Sequence, residues 1–326
     1  MPWTGIRRRA SADGAVDLSV EFLGATLASP IVTASGTFGH GAELAELGDP
    51  AVLGAVTTKS VSLEAWKGNL APRVAPMGTG MINAVGLQNG GVSDWIEHDL
   101  PKLRTVDARV IASIWGHRVQ DFAGVAAALE ACSADLFAIE INASCPNLED
   151  RSHVFAHDPH TLASVVSSVV TEIAGWGKPL PVLTKLSPNV TDIRPMVEAA
   201  MAAGSSGVTM INTVMGLGIN PRTRKPILGK GGGGLSGPPI HAIALRLVRD
   251  VHEAFPEVPI LGVGGVSSGE DAFSMLLAGA TAVGVGTASF ADPRAPWRIR
   301  KELQAFCSEV NVTAIRGISG ALVWPQ

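Results

Sequence analysis

A cysteine stands between two asparagines in the segment INASCPN, residues 141–147, which contains Asn142, Cys145 and Asn147. The segment follows the apolar run Leu136–Ile141, a predicted buried strand, and α/β enzymes present their reactive groups at strand ends. A thiol there can remove a proton or attack a carbon, and the carboxamides can hold a planar polar substrate. A lone cysteine is more often a small buried hydrophobe, so the role of Cys145 depends on the rest of the chain.

Two lysines, Lys59 and Lys185, each end a predicted strand that is otherwise apolar. A single lysine at a strand end could equally extend into solvent. Two of them at one end of a sheet predict fixed positive charge that faces an anionic ligand. Further polar groups are expected at the same end, because Asn212 and Thr213 follow another predicted strand and Asn83 lies in a long insert, predicted as a loop over the site.

Two consecutive predicted strands near the end of the chain run into glycine turns, one with Gly264 and Gly265 and the next with Gly286 and Thr287. Glycine lets backbone N–H groups approach a ligand closely, and a following helix N-terminus favours an anion. The pair of turns predicts a phosphate cradle, the alternative being two ordinary tight turns. Neither stretch fits the GxGxxG pattern that opens a nucleotide-binding βα unit, so a Rossmann NAD site is disfavoured.

The elements that must position these residues are eight short apolar runs separated by segments of helical period. Such runs are typical of strands in a parallel sheet covered by helices. Their alternation predicts one (β/α)8 TIM barrel over residues 1–326, with a doubly wound open sheet as the alternative. The predicted strands are Pro30–Ala34, Ala55–Thr58, Val110–Ile114, Leu136–Ile141, Leu180–Thr184, Gly207–Ile211, Pro259–Val263 and Ala282–Val285.

Three further segments complete the predicted α/β architecture. The alternating pattern of Asp17–Leu23 predicts a small N-terminal β-element at the bottom of the barrel. Inserts at Val61–Leu100 and Gly216–Pro238 follow the second and sixth strands, so both are expected over the C-terminal face, where barrel enzymes have their active sites.

The composition excludes several classes of protein. The 326 residues carry a formal charge of -4, which gives no electrostatic footprint for nucleic acid. Three cysteines without CxxC spacing predict a reducing compartment and no metal site. No stretch approaches eighteen consecutive apolar residues, which predicts a cytoplasmic protein without a membrane segment.

Seven strings of the sequence, in order, resemble the dihydroorotate dehydrogenase family. Within it the chain is most similar to class 1, and there to the catalytic subunit of class 1B. The resemblance extends from Leu18 to Asp292 and is carried by MINAVGLQN, INASCPN, TKLSPNVTDI, TMINTVMG, GGLSGPP, GVGGVSSGEDA and VGTASFADP.

The resemblance implies an FMN-binding barrel that oxidises (S)-dihydroorotate to orotate in de novo pyrimidine biosynthesis. It assigns Cys145 as the base that removes the C5 proton while hydride passes from C6 to flavin N5. The substrate-binding residues that it implies are Lys59, Asn83, Ala84, Val85, Gly86, Leu87, Asn142, Asn147, Asn212 and Thr213. The implied cofactor-binding residues are Ser35, Lys59, Ser60, Ser113, Asn142, Lys185, Ile211, Gly237, Gly264, Gly265, Gly286 and Thr287.

The chain departs from the family pattern at two places. Ser113 stands where the family usually has an asparagine beside the flavin ring, and a hydroxyl makes fewer hydrogen bonds than a carboxamide. After Asn147 the loop at Asp150–Asp158 is not glycine-rich as it is in the family. A loop at this position would cover the site, so it bears on the range of substrates.

The resemblance to class 1B implies a partner, an iron–sulfur FAD subunit that passes electrons to NAD. The chain has neither a cysteine cluster for such a centre nor an NAD fingerprint, so the partner would supply both. Fumarate or another soluble oxidant is the alternative acceptor, and homodimers or larger assemblies are expected from the family.

Two other enzymes compete with this interpretation. A related flavin barrel acting on a dihydropyrimidine such as dihydrouracil would need no contacts for a substrate carboxylate, so Lys59 with Asn83 favours dihydroorotate. A Schiff-base aldolase would use Lys185 as nucleophile and bind a sugar phosphate at the glycine turns.

Overall fold

A computed structural model describes residues 16–143 and 155–324 of the chain. Its centre is a sheet of eight strands that pair in parallel. In chain order they are β1 Ile31–Thr33, β2 Val56–Thr57, β3 Val110–Ile114, β4 Leu136–Asn142, β5 Val182–Lys185, β6 Gly207–Met210, β7 Ile260–Val263 and β8 Ala282–Val285.

The sheet closes on itself, which confirms the barrel and excludes the open sheet. β8 pairs with β1, and a parallel bridge between Val32 and Ala55 joins β1 to the start of β2. The backbone N–H of Thr33 donates to the Ala55 carbonyl at 3.2 Å across this seam. Every residue of the eight strands is buried except Phe137, because helices cover the outside and side chains fill the inside.

Helices follow most of the strands. They are α1 Val92–His98, α2 Leu100–Arg104, α3 Val119–Leu129, α4 Pro159–Ala174, α5 Arg194–Ala202, α6 His241–Ala254, α7 Gly269–Ala278, α8 Ala288–Ala291 and α9 Ala295–Glu309. Between β1 and β2 the structure instead has two short 3-10 turns, Ala45–Leu47 and Pro50–Val52. This connection is rich in glycine, which disfavours a longer helix.

For α6 the sequence predicts one apolar stripe, and the structure confirms it only in part; the stripe contains Ile240, Ile243, Ala244, Leu247 and Val251. Ala244, Val248 and Val251 face the sheet, whereas Ile243 is 43% exposed. The three buried positions follow the i, i+4, i+7 spacing of one helix face, and Ile243 lies about 100° away from Ala244 around the axis.

The predicted N-terminal β-element is a hairpin of Val20–Phe22 and Ala25–Leu27. A guanidinium N–H of Arg109 donates to the carbonyl of Thr26 in this hairpin. Because Arg109 immediately precedes β3, the hairpin lies at the N-terminal end of the barrel, opposite the strand ends that carry the polar residues.

The two inserts combine over the C-terminal end of the barrel into one antiparallel sheet, here called the cap sheet. Its four strands are Val74–Met77, Gly80–Asn83, Val214–Gly216 and Gly233–Ser236. The second and fourth of these strands pair with each other and so join the inserts, while Ile219–Asn220 and Lys225–Pro226 form a small hairpin beyond them. Asn83 therefore ends a strand, whereas the sequence predicted a loop.

Candidate functional site

A cavity lies between the C-terminal ends of the barrel strands and the cap sheet. It has two adjoining parts, which contain about 810 Å³ and 550 Å³ of space including the part that is open to solvent. The first, the cap chamber, reaches Asn83, and the second, the glycine chamber, reaches Gly265. The residues that line both parts are Ser35, Thr37, Lys185, Asn212, Thr213, Ser236 and Thr287.

Hydroxyl groups from the first strands form a continuous chain at the floor of the cap chamber. The Oγ atoms of Ser35 and Ser60 lie 3.0 Å apart, and those of Ser60 and Ser113 lie 2.9 Å apart. Asn142, at the end of β4, donates from Nδ2 to the Ser60 Oγ at 3.0 Å. Ser113 is fully buried and does not line either chamber, so it acts on the cavity through Ser60.

Lys185 ends β5 and presents its ammonium to both chambers, although its side chain is only 7% exposed. Its Nζ lies 4.0 Å from Oε1 of Glu140, a residue of β4 that is 1% exposed. A buried ammonium is costly unless it is paired. The carboxylate of Glu140 therefore makes a fixed positive charge tolerable at this depth.

Carboxamides and a second lysine surround the cap chamber. Nδ2 of Asn83 donates to the Gly234 carbonyl at 3.2 Å, which ties the two central cap-sheet strands together at the cavity wall. Nδ2 of Asn212 lies 3.5 Å from Oδ1 of Asn142. With the ammonium of Lys59 on the same wall, the chamber offers a cation together with paired donors and acceptors.

The turn after the cap-sheet strand Gly80–Asn83 contributes Val85, Gly86 and Leu87 to the cavity wall. Leu87 has φ 57°, a left-handed conformation that is uncommon for a leucine. Ala84 lies elsewhere: it is fully buried, its N–H donates to the Arg73 carbonyl and its carbonyl accepts from Asn69. The structure therefore does not bring Ala84 to the cavity.

The glycine chamber ends against the turn after β7. Gly264 and Gly265 have φ of 146° and 70°. A Cβ on Gly265 would lie 2.7 Å from the Cβ of His241 and 2.8 Å from the Gly237 carbonyl oxygen. Only a bare backbone fits there, so the N–H groups of the turn can come close to a ligand, as a phosphate requires.

The first turn of α7 supports this cradle. Ser268 and Asp271 form a capping box, and Nδ1 of His241 donates to the Gly264 carbonyl at 2.8 Å. Burial acts to raise the pKa of Asp271, but hydrogen bonds from Ser267 and Ser268 and the nearby His241 hold it below its usual range. The carboxylate at the helix N-terminus thus stays charged and keeps the turn in place.

The structure brings most of the predicted site residues together. The predicted residues that line one or both chambers are Ser35, Lys59, Ser60, Asn83, Val85, Gly86, Leu87, Asn142, Lys185, Ile211, Asn212, Thr213, Gly237, Gly264, Gly265, Gly286 and Thr287. Ala84 and Ser113 are buried away from the cavity walls, and Cys145 and Asn147 lie outside the described residues.

Sequence reasoning missed three groups that support the site: Glu140, Ser236 and His241. Glu140 carried a signal, because it is the single charged residue inside the apolar run 136–141. Ser236 and His241 carried none. Ser236 reaches the cavity only through the pairing of the inserts, and His241 contacts the Gly264 carbonyl only through the course of the chain into α6.

The other two cysteines of the chain are buried structural residues. Burial, reinforced by nearby Asp135, raises the pKa of the Cys132 thiol to about 11, and burial also raises the pKa of Cys307. We expect iodoacetamide at pH 8 to leave both unmodified in the native protein and to label both after denaturation, as read by peptide mass spectrometry. The neutral thiol is unreactive, so rapid native labelling of Cys132 would contradict its placement.

The part of the chain that the structure describes contains neither a cluster of metal ligands nor a membrane-spanning helix. Within 16–143 and 155–324, no three His, Cys, Asp or Glu side chains are grouped to hold a metal ion. In the same part of the chain, no helix has the length and apolar character needed to cross a membrane.

Comparisons with known proteins agree with this geometry. The family model for dihydroorotate dehydrogenase matches residues 17–307. The catalytic subunit of dihydroorotate dehydrogenase B (NAD(+)) from Alkaliphilus metalliredigens is 42% identical over 94% of this chain and 99% of its own length. A candidate dihydroorotate dehydrogenase A (fumarate) from Aquifex aeolicus is also 42% identical, over 94% of this chain and 98% of its own.

A solved structure shares the fold. The dihydroorotate dehydrogenase of Eimeria tenella, crystallised with ferulenol, superposes with a TM-score of 0.76 over 94% of this chain and 88% of its own, at 21% identity. The family model and the end-to-end match to curated relatives establish that the chain belongs to the dihydroorotate dehydrogenase family.

Proposed function

We propose that this protein oxidises (S)-dihydroorotate to orotate in de novo pyrimidine biosynthesis, with FMN held at the mouth of the barrel. The observation that carries the proposal is the cavity itself, in which a chamber lined by Lys59, Asn83 and Asn212 adjoins a glycine cradle. The first part suits a small planar carboxylate and the second a phosphate. Membership of the family supports the same activity.

The residues present fit a flavin with one phosphate. The cradle of Gly264, Gly265 and Gly286 would hold the phosphate, and Lys185 lies between the two chambers, where the ring would lie. When bound, the flavin supplies the acceptor for the electrons that leave the substrate. The ammonium of Lys185 provides a fixed positive charge that favours an anionic reduced ring.

The protein's own groups would bind and deprotonate the substrate. Lys59 is suited to the substrate carboxylate, and the carboxamides of Asn83, Asn142 and Asn212 to the carbonyl and N–H groups of the ring. Cys145 is proposed to remove the C5 proton, because it follows β4 in the family's motif three residues after Asn142. Neither competing reaction explains the whole set: a Schiff-base aldolase would leave Cys145 idle, and a dihydrouracil enzyme would not need Lys59.

The proposed electron acceptor is an iron–sulfur FAD subunit that serves NAD in the cytoplasm. Relatives named as catalytic subunits of a B (NAD(+)) enzyme support a partner subunit. The equally similar relative whose name specifies fumarate supplies the alternative. Stopped-flow reoxidation of the reduced chain distinguishes them, because direct oxidation by fumarate would remove the need for a partner.

The visible spectrum of the purified chain tests the function. We expect flavin bands that bleach on anaerobic addition of dihydroorotate and return when an oxidant is added. Bands that dihydroorotate leaves unchanged but dihydrouracil bleaches would show that the substrate is another dihydropyrimidine. A protein that stays colourless after incubation with FMN would contradict it altogether.

A further inference from the structure

The barrel interior contains a carboxylate directly beneath the cavity. Glu140 of β4 accepts from Ser113 Oγ at 3.0 Å and from Thr209 Oγ1 at 2.9 Å, and its Oε1 is 4.0 Å from Lys185 Nζ. Thr209 belongs to β6, which is separated from β4 by β5, so this contact crosses the inside of the barrel. Glu140 does not line either chamber and so does not touch a ligand there.

We infer that Glu140 is a positioning residue that holds the Lys185 ammonium under the cavity and fixes the direction of the hydroxyl chain at its floor. The expected effect of Glu140 on a bound flavin rests on the proposed function, whereas the pairing of Glu140 with Lys185 does not. Glu140 has this role through a charge pair with Lys185 and through a chain of hydrogen bonds that begins at Ser113.

The charge pair follows from burial. Glu140 is 1% exposed and the side chain of Lys185 is 7% exposed, so water screens neither charge well. Each charge would be costly alone, and each is the other's nearby counter-charge. Because Ser113 and Thr209 hold the carboxylate from two strands, its position is fixed, and the ammonium is drawn to one place between the chambers.

The direction of the hydrogen bonds in the hydroxyl chain follows from the number of protons that each group can donate. A serine hydroxyl has one proton, and Ser113 uses it on the carboxylate of Glu140, which can only accept. The short contact between Ser113 and Ser60 must then be a donation from Ser60. With its proton used, Ser60 can only accept from Ser35 Oγ and from Asn142 Nδ2.

The carboxylate therefore sets what the cavity floor offers to a ligand. Ser35 donates its hydroxyl proton to Ser60 and therefore presents only lone pairs to the cap chamber. Asn142 spends one amide proton on Ser60 and has its Oδ1 on the side of Asn212. The floor of the cap chamber therefore binds a ligand N–H group more readily than a ligand carbonyl, because a carbonyl needs a donor and these groups offer lone pairs.

The variant Glu140→Gln keeps the shape of the side chain but removes the charge and adds an amide donor that can reverse the chain. With FMN bound, we expect a midpoint potential more positive than that of the wild type, because the charge of Lys185 is no longer balanced and favours the anionic reduced ring. Thr209→Val, the matched control, removes one hydrogen bond but keeps the charge, so its potential should stay near that of the wild type. Equal potentials in all three proteins would overturn the electrostatic role.

A second experiment on the flavin-free chain tests the pair directly. Denaturant unfolding of Glu140→Gln, Lys185→Gln and the double variant forms a double-mutant cycle. Each single variant should lower the folding equilibrium constant by on the order of a hundredfold, since it strands a buried charge. The folding equilibrium constant of the double variant should fall by much less than the product of the two single effects. A fall equal to that product would refute the pairing. A wild type that binds no flavin would defeat the proposed function, yet the cycle would still decide the pairing.

Discussion

Replacing Cys145 with alanine should lower dihydroorotate turnover by about 10²–10⁴-fold, the contribution of a well-placed general base. The reason is chemical: loss of the C5 proton has to accompany hydride departure, and alanine cannot accept a proton. Flavin content, read from the visible spectrum, should be unchanged, because Cys145 is not one of the proposed cofactor-binding residues. The measurement is steady-state turnover with an artificial acceptor.

The chain supplies its own matched controls for this variant. Cys132→Ala and Cys307→Ala remove thiols that are buried and have raised pKa values, so turnover should stay within a small factor of the wild type. A pH profile adds a second test, because a free thiol ionises at about pH 8.5 and activity should rise toward alkaline pH. Near-normal turnover of Cys145→Ala would exclude this residue as the base.

Changing Gly265 to alanine should weaken FMN binding by more than about tenfold, a loss of about 1.4 kcal/mol. The added Cβ would lie 2.7 Å from His241 Cβ and 2.8 Å from the Gly237 carbonyl oxygen, and φ at this position is 70°. The turn has to shift to relieve these contacts, and the N–H groups that would hold the phosphate shift with it. Reconstitution of the flavin-free protein, followed by flavin fluorescence, measures the dissociation constant.

Gly24→Ala is the control that separates strain from loss of the cradle. Gly24 has a similar φ of 77° in the N-terminal hairpin, and nothing lies within 4 Å of an added Cβ. Both variants therefore carry comparable backbone strain, but Gly24 is at the opposite end of the barrel from the cavity. Equal weakening of FMN binding by the two would show that the effect comes from stability rather than from the cradle.

Much of the fold could be predicted from the sequence because the barrel strands are buried on both faces. A short apolar run bounded by glycine and polar residues predicts a buried strand, because a buried helix is usually longer. All eight predicted strands are present within a few residues of their predicted ends. The exceptions were the connection between β1 and β2, where 3-10 turns replace a helix, and Ile243, which an apolar pattern alone placed in the core.

Much of the candidate site could also be predicted, because parallel strands end together. Residues as distant in sequence as Lys59, Lys185 and Thr287 could be assigned to one cavity once each was placed at or just after the end of a strand. Ala84 was implied by the family resemblance alone, and a position inside a motif does not tell whether its backbone groups are already paired.

The sequence by itself determined the barrel, the end of it that carries the chemistry and the family to which the chain belongs. Only the tertiary structure decided how the inserts meet in the cap sheet, which residues face the cavity, and what Glu140 contacts across the barrel. The physical reason is that periodicity records burial along one segment, whereas hydrogen-bond partners and charge pairs are set by contacts between strands far apart in the chain.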